Sequence, residues 1–294
     1  MNILIVKLSP IYDLYNAMPT VHILKKFYNA KITWVVHEFF VELVNFFCDV
    51  DNVILYPENE LKHINRKNFR INLHSITYDL VVDLEGSMES ALICKSSRKN
   101  KNVKILGPSF QREESFKLYD EITGCRDVER DKYIQCMDVL RYLNIPINEI
   151  KYNFNISNFH NKNNFNYNVI NTISRNPKKY LSLEICNEYI SQSKYKTFIL
   201  SDANNAYHYE DLEQNYSSEK IEIIEHKLSI TDKIQFFYYS KEIICCNYDD
   251  IQLISALNLN GMMINIDKKR NYPKTCNKFC KIIDINKTKT INFN

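Results

Sequence analysis

The opening stretch Met1-Asn2-Ile3-Leu4-Ile5-Val6-Lys7-Leu8-Ser9-Pro10-Ile11-Tyr12-Asp13 decides the fold. Residues 3–7 run without polar alternation up to a terminal lysine. A strand covered on both faces reads this way, and such strands belong to parallel sheets. A polar loop follows, then a helical stretch over 17–28 that starts near Pro19. Working outward, 31–36 is a second strand, 38–47 an amphipathic helix, 52–56 a third strand and 78–84 a fourth. A helix over 87–96, a strand over 103–106 and a long helix over 127–143 complete the first half. Strands alternating with helices imply a parallel sheet with right-handed crossovers.

Residues 152–178 are asparagine-rich and lack a clear period, which marks 151–178 as a linker. The rhythm then resumes: helix 178–192, strands 196–201 and 220–225, helix 230–240, strand 241–246, helix 249–258 and strand 262–266. The expected architecture is α/β, with two Rossmann-like domains facing a cleft. The first covers 1–150, and the second, over 179–294, is reduced. Ligands of such sheets bind at the carboxyl ends of the strands.

Composition removes several function classes. The 294 residues carry 38 Lys+Arg against 35 Asp+Glu, a net charge of +3, so a dedicated nucleic-acid binder is not expected. No run of about 18 apolar residues exists, which excludes a membrane-spanning helix. Four glycines cannot build a G-x-G-x-x-G or P-loop phosphate cradle. The nine cysteines are odd in number, irregularly spaced and without C-x-x-C, so reduced structural thiols are expected, with no metal or cofactor. The N-terminus lacks a charged region ahead of its apolar run and reads as a strand, not a signal peptide. A cytoplasmic location follows. The excess of Asn, Lys, Ile, Tyr and Phe over Gly, Ala and Pro matches an AT-rich genome.

Four places could carry chemistry. Asp13 lies just past the first strand, where a carboxylate can take a proton from an attacking hydroxyl or, alternatively, cap the next helix. The segment 61–78 holds Lys62, His63, Arg66, Lys67, Arg70 and His74 on a loop with no acidic residue. It suits an anionic partner or surface, or is a solvated basic loop. Arg112 can grip an anion bidentately or pair with a nearby glutamate. Asp249 and Asp250 read as the cap and first turn of a helix, with a metal site as the weaker alternative. His208 is a loop residue with no visible partner.

The same residues resemble a known family. Residues 2–13 with Met18-Pro19 and 31–36 are similar to the opening "ILIVK-S-S-x-G-D…LPAL" of bacterial lipopolysaccharide heptosyltransferases, glycosyltransferase family 9. Tyr78-Asp-Leu-Val-Val-Asp-Leu-Glu-Gly-Ser-Met-Glu-Ser-Ala91 resembles "YDxVIDxQGLxKSA", Gln111-Arg112-Glu113 resembles "AREP", and Val128-Glu129-Arg130 resembles "VER". The likeness covers about residues 1–145 and is greatest to heptosyltransferase I. It implies a GT-B enzyme that moves heptose from ADP-heptose to the Kdo-lipid A inner core, inverting and metal-independent, at the inner face of the inner membrane. Asp13 is then the general base. Lys62, Arg66, Lys67, Arg70 and Arg112 hold acceptor phosphates and carboxylates, and Ser9, His208 and Asn247 contact the donor.

The chain also departs from the pattern. The glycine before the catalytic aspartate is Tyr12, and the lysine of "GLxKSA" is Glu89. The donor signature "S-x-D-T-G-x-x-H" is replaced by Cys245-Cys246-Asn247-Tyr248-Asp249-Asp250-Ile251-Gln252, whose two acids would repel a diphosphate. Three readings stay open: a divergent heptosyltransferase with rebuilt donor contacts, a non-catalytic relative keeping acceptor or membrane-surface binding, and an unrelated α/β protein.

Overall fold

The computed structural model describes residues 1–8, 10–57, 63–126, 130–157, 159–161, 163–174, 179–202, 209–225, 228–266 and 279–284, with the backbone alone for 63–66. They form two compact units, Met1–Asn155 and Ile156–Asn294.

The first unit contains β1 (Asn2–Val6), α1 (Ile11–Tyr28), β2 (Lys31–His37), α2 (Val41–Asn45), β3 (Asn52–Tyr56), α3 (His63–Leu73), β4 (Leu80–Asp83), α4 (Met88–Ser97), β5 (Lys104–Pro108), β6 (Glu121–Thr123), α5 (Lys132–Cys136) and α6 (Asp138–Tyr142). Its sheet is fully parallel in the order β3-β2-β1-β4-β5-β6. β1 is central, and Ile3, Leu4, Ile5 and Val6 are wholly buried. Alternation sends Leu4 and Val6 to the face shared with Leu73, Val81, Ile93 and Ile105, and Ile3 and Ile5 to the other. Each such side chain contributes ~1.5–3 kcal/mol through burial.

α1 begins at Ile11, six residues before the expected start, and Pro19 lies inside it. A mid-helix proline costs about 3 kcal/mol. Burial of Leu14, Met18, Val21 and Leu24 along the same helix offsets that cost. The basic segment read as a loop is helical over His63–Leu73, because Phe69 and Leu73, one turn apart, pack into the core against Tyr56 and Ile54. The expected helix over 127–143 is two short helices broken at Met137, with 127–129 outside the described residues.

The second unit contains β7 (Tyr167–Asn171), α7 (Leu183–Gln192), β8 (Lys196–Leu200), α8 (Glu210–Asn215), β9 (Ile221–Ile224), α9 (Ile230–Tyr238), β10 (Ile243–Cys245), α10 (Tyr248–Ala256), β11 (Gly261–Asn265) and β12 (Cys280–Asp284). Its order is β12-β11-β10-β7-β8-β9, again parallel throughout. Read from their central strands, both sheets have the doubly wound order 3-2-1-4-5-6.

β7 corrects the linker expectation. It lies inside the asparagine-rich stretch, pairs with β8 and β10, and is buried at all five positions. Both asparagines place their amide nitrogens on partners, Asn168 Nδ2 donating to Ser193 Oγ at 2.9 Å and Asn171 to Asp250, while Asn168 Oδ1 is buried without a hydrogen bond.

Candidate active site

Chain order in the first unit brings the loops after β1, β4 and β5 to the carboxyl end of one sheet. Lys7 follows β1, and its ammonium is buried. It lies 3.0 Å from Glu85 Oε2 and 3.8 Å from Asp13 Oδ2. Glu85 also accepts the Leu8 amide at 3.3 Å. Its other oxygen lies 3.3 Å from Arg112 Nη2, and Asp13 Oδ1 lies 3.2 Å from Lys132 Nζ. Charges therefore alternate along Arg112, Glu85, Lys7, Asp13 and Lys132. The inner three are buried, and the outer two are more than half exposed.

Local structure explains how Glu85 is presented. Asp83, the last residue of β4, accepts the amides of Glu85 at 2.7 Å and Gly86 at 2.9 Å, which turns the chain sharply. Its second oxygen accepts the Tyr119 hydroxyl at 2.8 Å. Burial pushes the Asp83 carboxyl up despite these hydrogen bonds. Gly86 sits at φ +78°, in the left-handed region, and its carbonyl accepts the Arg112 amide at 2.8 Å. A side chain there would meet Pro108 and the Gln111 backbone. The Asp83–Gly86 turn thus places both Glu85 and Arg112.

Asp13 is not a helix cap. The cap position of α1 is Pro10, with no side-chain hydrogen bond, and the Asp13 carboxylate faces ammonium groups. Burial pulls the Lys7 ammonium down, but Asp13 and Glu85 outweigh it and hold its pKa above the ordinary lysine value. Lys132 behaves alike: burial lowers it, Asp13 and Tyr12 raise it further, and the balance is upward. A buried carboxylate compensated by cations at the carboxyl end of a parallel sheet is suited to taking a proton from a hydroxyl brought to it.

Arg112 pairs with Glu85 and, at 3.5 Å, with Glu113; the segment around it is turn and not helix. Lys67 and Arg70 lie exposed on α3. Lys62 and the Arg66 side chain fall outside the described residues, as do Ser9 and His208. Glu89, where the family motif has lysine, accepts the Tyr56 hydroxyl at 2.5 Å. Lys7, Glu85 and Lys132 were missed as site residues. The available signal was a charge placed directly after a buried strand, at Lys7 and Glu85, where solvation is lost unless a partner or ligand supplies it.

In the second unit, Asn247 caps α10, accepting the Asp250 amide at 2.8 Å and donating to the Ile173 carbonyl at 2.9 Å. Asp250 is buried, 2.8 Å from Lys233 Nζ and hydrogen-bonded by Asn171. Asp249 and Asp250 occupy the first turn of α10, while the cap itself is Asn247. A separate cavity of about 370 Å³ lies beside α9, lined by Tyr167, Phe198, Phe236 and Tyr239. Its Glu222 is paired with Lys196 at 2.6 Å.

No family model matches the sequence, and no curated relative does. Solved structures do match. The E. coli heptosyltransferase WaaC with ADP is 16% identical, with a TM-score of 0.81 over 96% of this chain and 92% of that one. E. coli ADP-heptose lps heptosyltransferase II is 14% identical, at TM-score 0.70 over 96% and 90%. A glycosyl transferase family 9 protein from Veillonella parvula is 11% identical, at TM-score 0.77 over 96% and 85%. The chain therefore shares the α/β fold of these heptosyltransferase structures.

Proposed function

We propose that this protein is a glycosyltransferase that moves heptose from ADP-heptose to the Kdo-lipid A inner core, with inversion and without a metal. The observation that carries the reading is the buried Asp13 carboxylate between Lys7 and Lys132 at the carboxyl end of β1. Asp13 takes the proton of an acceptor hydroxyl while that oxygen attacks the anomeric carbon. The bond from that carbon to the diphosphate breaks, and ADP leaves with the electron pair. Arg112, more than half exposed beside Glu85, is assigned to hold an acceptor carboxylate or phosphate in this reading. Lys62, Arg66, Lys67 and Arg70 belong to a basic stretch that suits an anionic lipid at the inner membrane face. No helix among the described residues is long and apolar enough to cross a membrane, so association there is peripheral in this reading. Asn247, with Ser9 and His208, is assigned to the donor.

A second reading is favoured by one specific observation. Asp249 and Asp250 take the first turn of α10, and the Asp250 carboxylate is held there by Lys233 and Asn171. A helix N-terminus favours anions, but this one already has its own. On that reading the chain is a non-catalytic relative that keeps acceptor or membrane-surface binding. Calorimetry with ADP-heptose and ADP separates the two. Micromolar binding followed by transfer to Kdo-lipid A supports the enzyme, and absence of binding at millimolar ligand supports the relative.

A further inference from the structure

Lys132 is the first residue of α5, and its ammonium meets two neighbouring residues of α1. Its Nζ lies 3.2 Å from Asp13 Oδ1, 3.3 Å from the Tyr12 hydroxyl and 5.2 Å from the centre of the Tyr12 ring. The opposite carboxylate oxygen faces Lys7 Nζ at 3.8 Å from the buried side. Two cations thus grip one carboxylate from two directions, one from β1 and one from α5.

A lysine that is 57% exposed would ordinarily spread over several rotamers, since ordering so long a side chain costs entropy. Here the Tyr12 hydroxyl accepts a hydrogen bond from the ammonium, and the ring centre lies within cation–π range. A carboxylate engaged at both oxygens cannot turn freely about its last torsion. A general base must present a chosen oxygen within hydrogen-bond reach of the proton it removes, so that restriction matters to turnover.

We propose that Lys132 is a positioning residue: seated on Tyr12, it holds Oδ1 of Asp13 and sets the direction in which the carboxylate meets the acceptor hydroxyl. This rests on the reading of Asp13 as the base. Lys132 does not touch substrate in this proposal and acts through Asp13.

The test uses the full chain and has two arms. In the kinetic arm, Lys132→Met lowers kcat by about ten- to a hundredfold, leaves the acceptor KM within about twofold, and is largely rescued by Lys132→Arg. A raised KM with unchanged kcat, or wild-type kinetics, overturns the proposal. The second arm needs no activity and reads the side-chain ε-methylene signal of Lys132 by NMR with labelled lysine. Ring-current displacement is expected in the wild type and in Tyr12→Phe, is lost in Tyr12→Leu, and the signal moves in Asp13→Asn. An undisplaced wild-type signal, or one indifferent to Asp13→Asn, overturns the proposal. If the wild type binds no ADP-heptose and transfers nothing, the functional reading has failed, and the NMR arm still decides whether Lys132 is seated and coupled to Asp13.

Discussion

Lys233 Nζ lies 2.8 Å from Asp250 Oδ1, joining α9 to the first turn of α10. Asp250 is 1% exposed and also receives hydrogen bonds from Asn171 and Asn247. Burial pulls the Lys233 ammonium down, but Asp250 more than compensates and leaves its pKa raised. The pair anchors the first turn of α10 to α9.

Removing one partner strands the other. Lys233→Met leaves the Asp250 carboxylate buried without its cation and should destabilise the chain by about 2–4 kcal/mol. Urea unfolding of the variant measures this. A loss within about 0.5 kcal/mol would show that the asparagines alone satisfy Asp250.

Asp249 tests the proposed donor site electrostatically. Neutralising one charge in the first turn of a helix is worth ~0.3–1 kcal/mol to an approaching anion. Asp249→Asn should therefore tighten ADP binding by about two- to fivefold at low salt, with the gain fading as ionic strength rises. Calorimetry at two salt concentrations checks both statements.

Asp13→Asn removes the proposed base while keeping shape. Turnover should fall by about a hundredfold or more, with acceptor binding retained. Transfer assays beside an acceptor-binding measurement give the answer, and undiminished turnover would remove Asp13 from the mechanism.

Glu85 sits within reach of the buried Lys7 ammonium and of Arg112. Glu85→Gln should cost about 2–4 kcal/mol, because among the described residues Lys7 then keeps only Asp13 as an anionic partner, at the longer distance of 3.8 Å. Denaturant unfolding is the measurement. Equal stability of the variant would mean that the glutamate charge is not needed to keep Lys7 in place.

Alkaline pH should destabilise the protein from about pH 9 upward. Burial pushes the thiols of Cys136 and Cys186 up to about 12 from 9.0, and the Tyr78 hydroxyl up to about 12 from 10.0. The native state then keeps protons that the unfolded chain releases, so stability is full below the unfolded pKa values and falls as pH rises through them toward the folded ones. Lys7, Lys132 and Lys233, also raised, act with the same sign. Thermal midpoints between pH 7 and pH 11 follow the loss, and a flat profile would contradict it.

Much of the first unit was legible because its strands are buried on both faces. Ile3–Val6 at the centre and Lys31–His37 beside it are continuous enough in apolar character to show in one pass. What failed to show were elements whose core contacts are few or whose residues are polar. α3 depends on Phe69 and Leu73 within a basic sequence, and β6 is three residues long. β7 carries two asparagines, and their amide nitrogens are accommodated in the sheet by distant partners, Ser193 and Asp250. The positions of Asp13 after β1 and of Arg112 after β5 were legible in the sequence. Lys7, Glu85 and Lys132 were not, since nothing in sequence spacing says that residues more than 70 positions apart share one charge chain.

The sequence by itself determined the α/β class, the parallel order of local units and the place of Asp13 after a buried strand. Those follow from hydrophobic period and chain direction, which are local properties. Only the tertiary structure decided how charges are shared at that strand end and at the start of α10. A carboxylate's role depends on which cations reach it within about 4 Å, and the fold alone sets those distances. Lys132 comes to Asp13 from 119 residues away, and Lys233 and Asn171 come to Asp250 from 17 and 79.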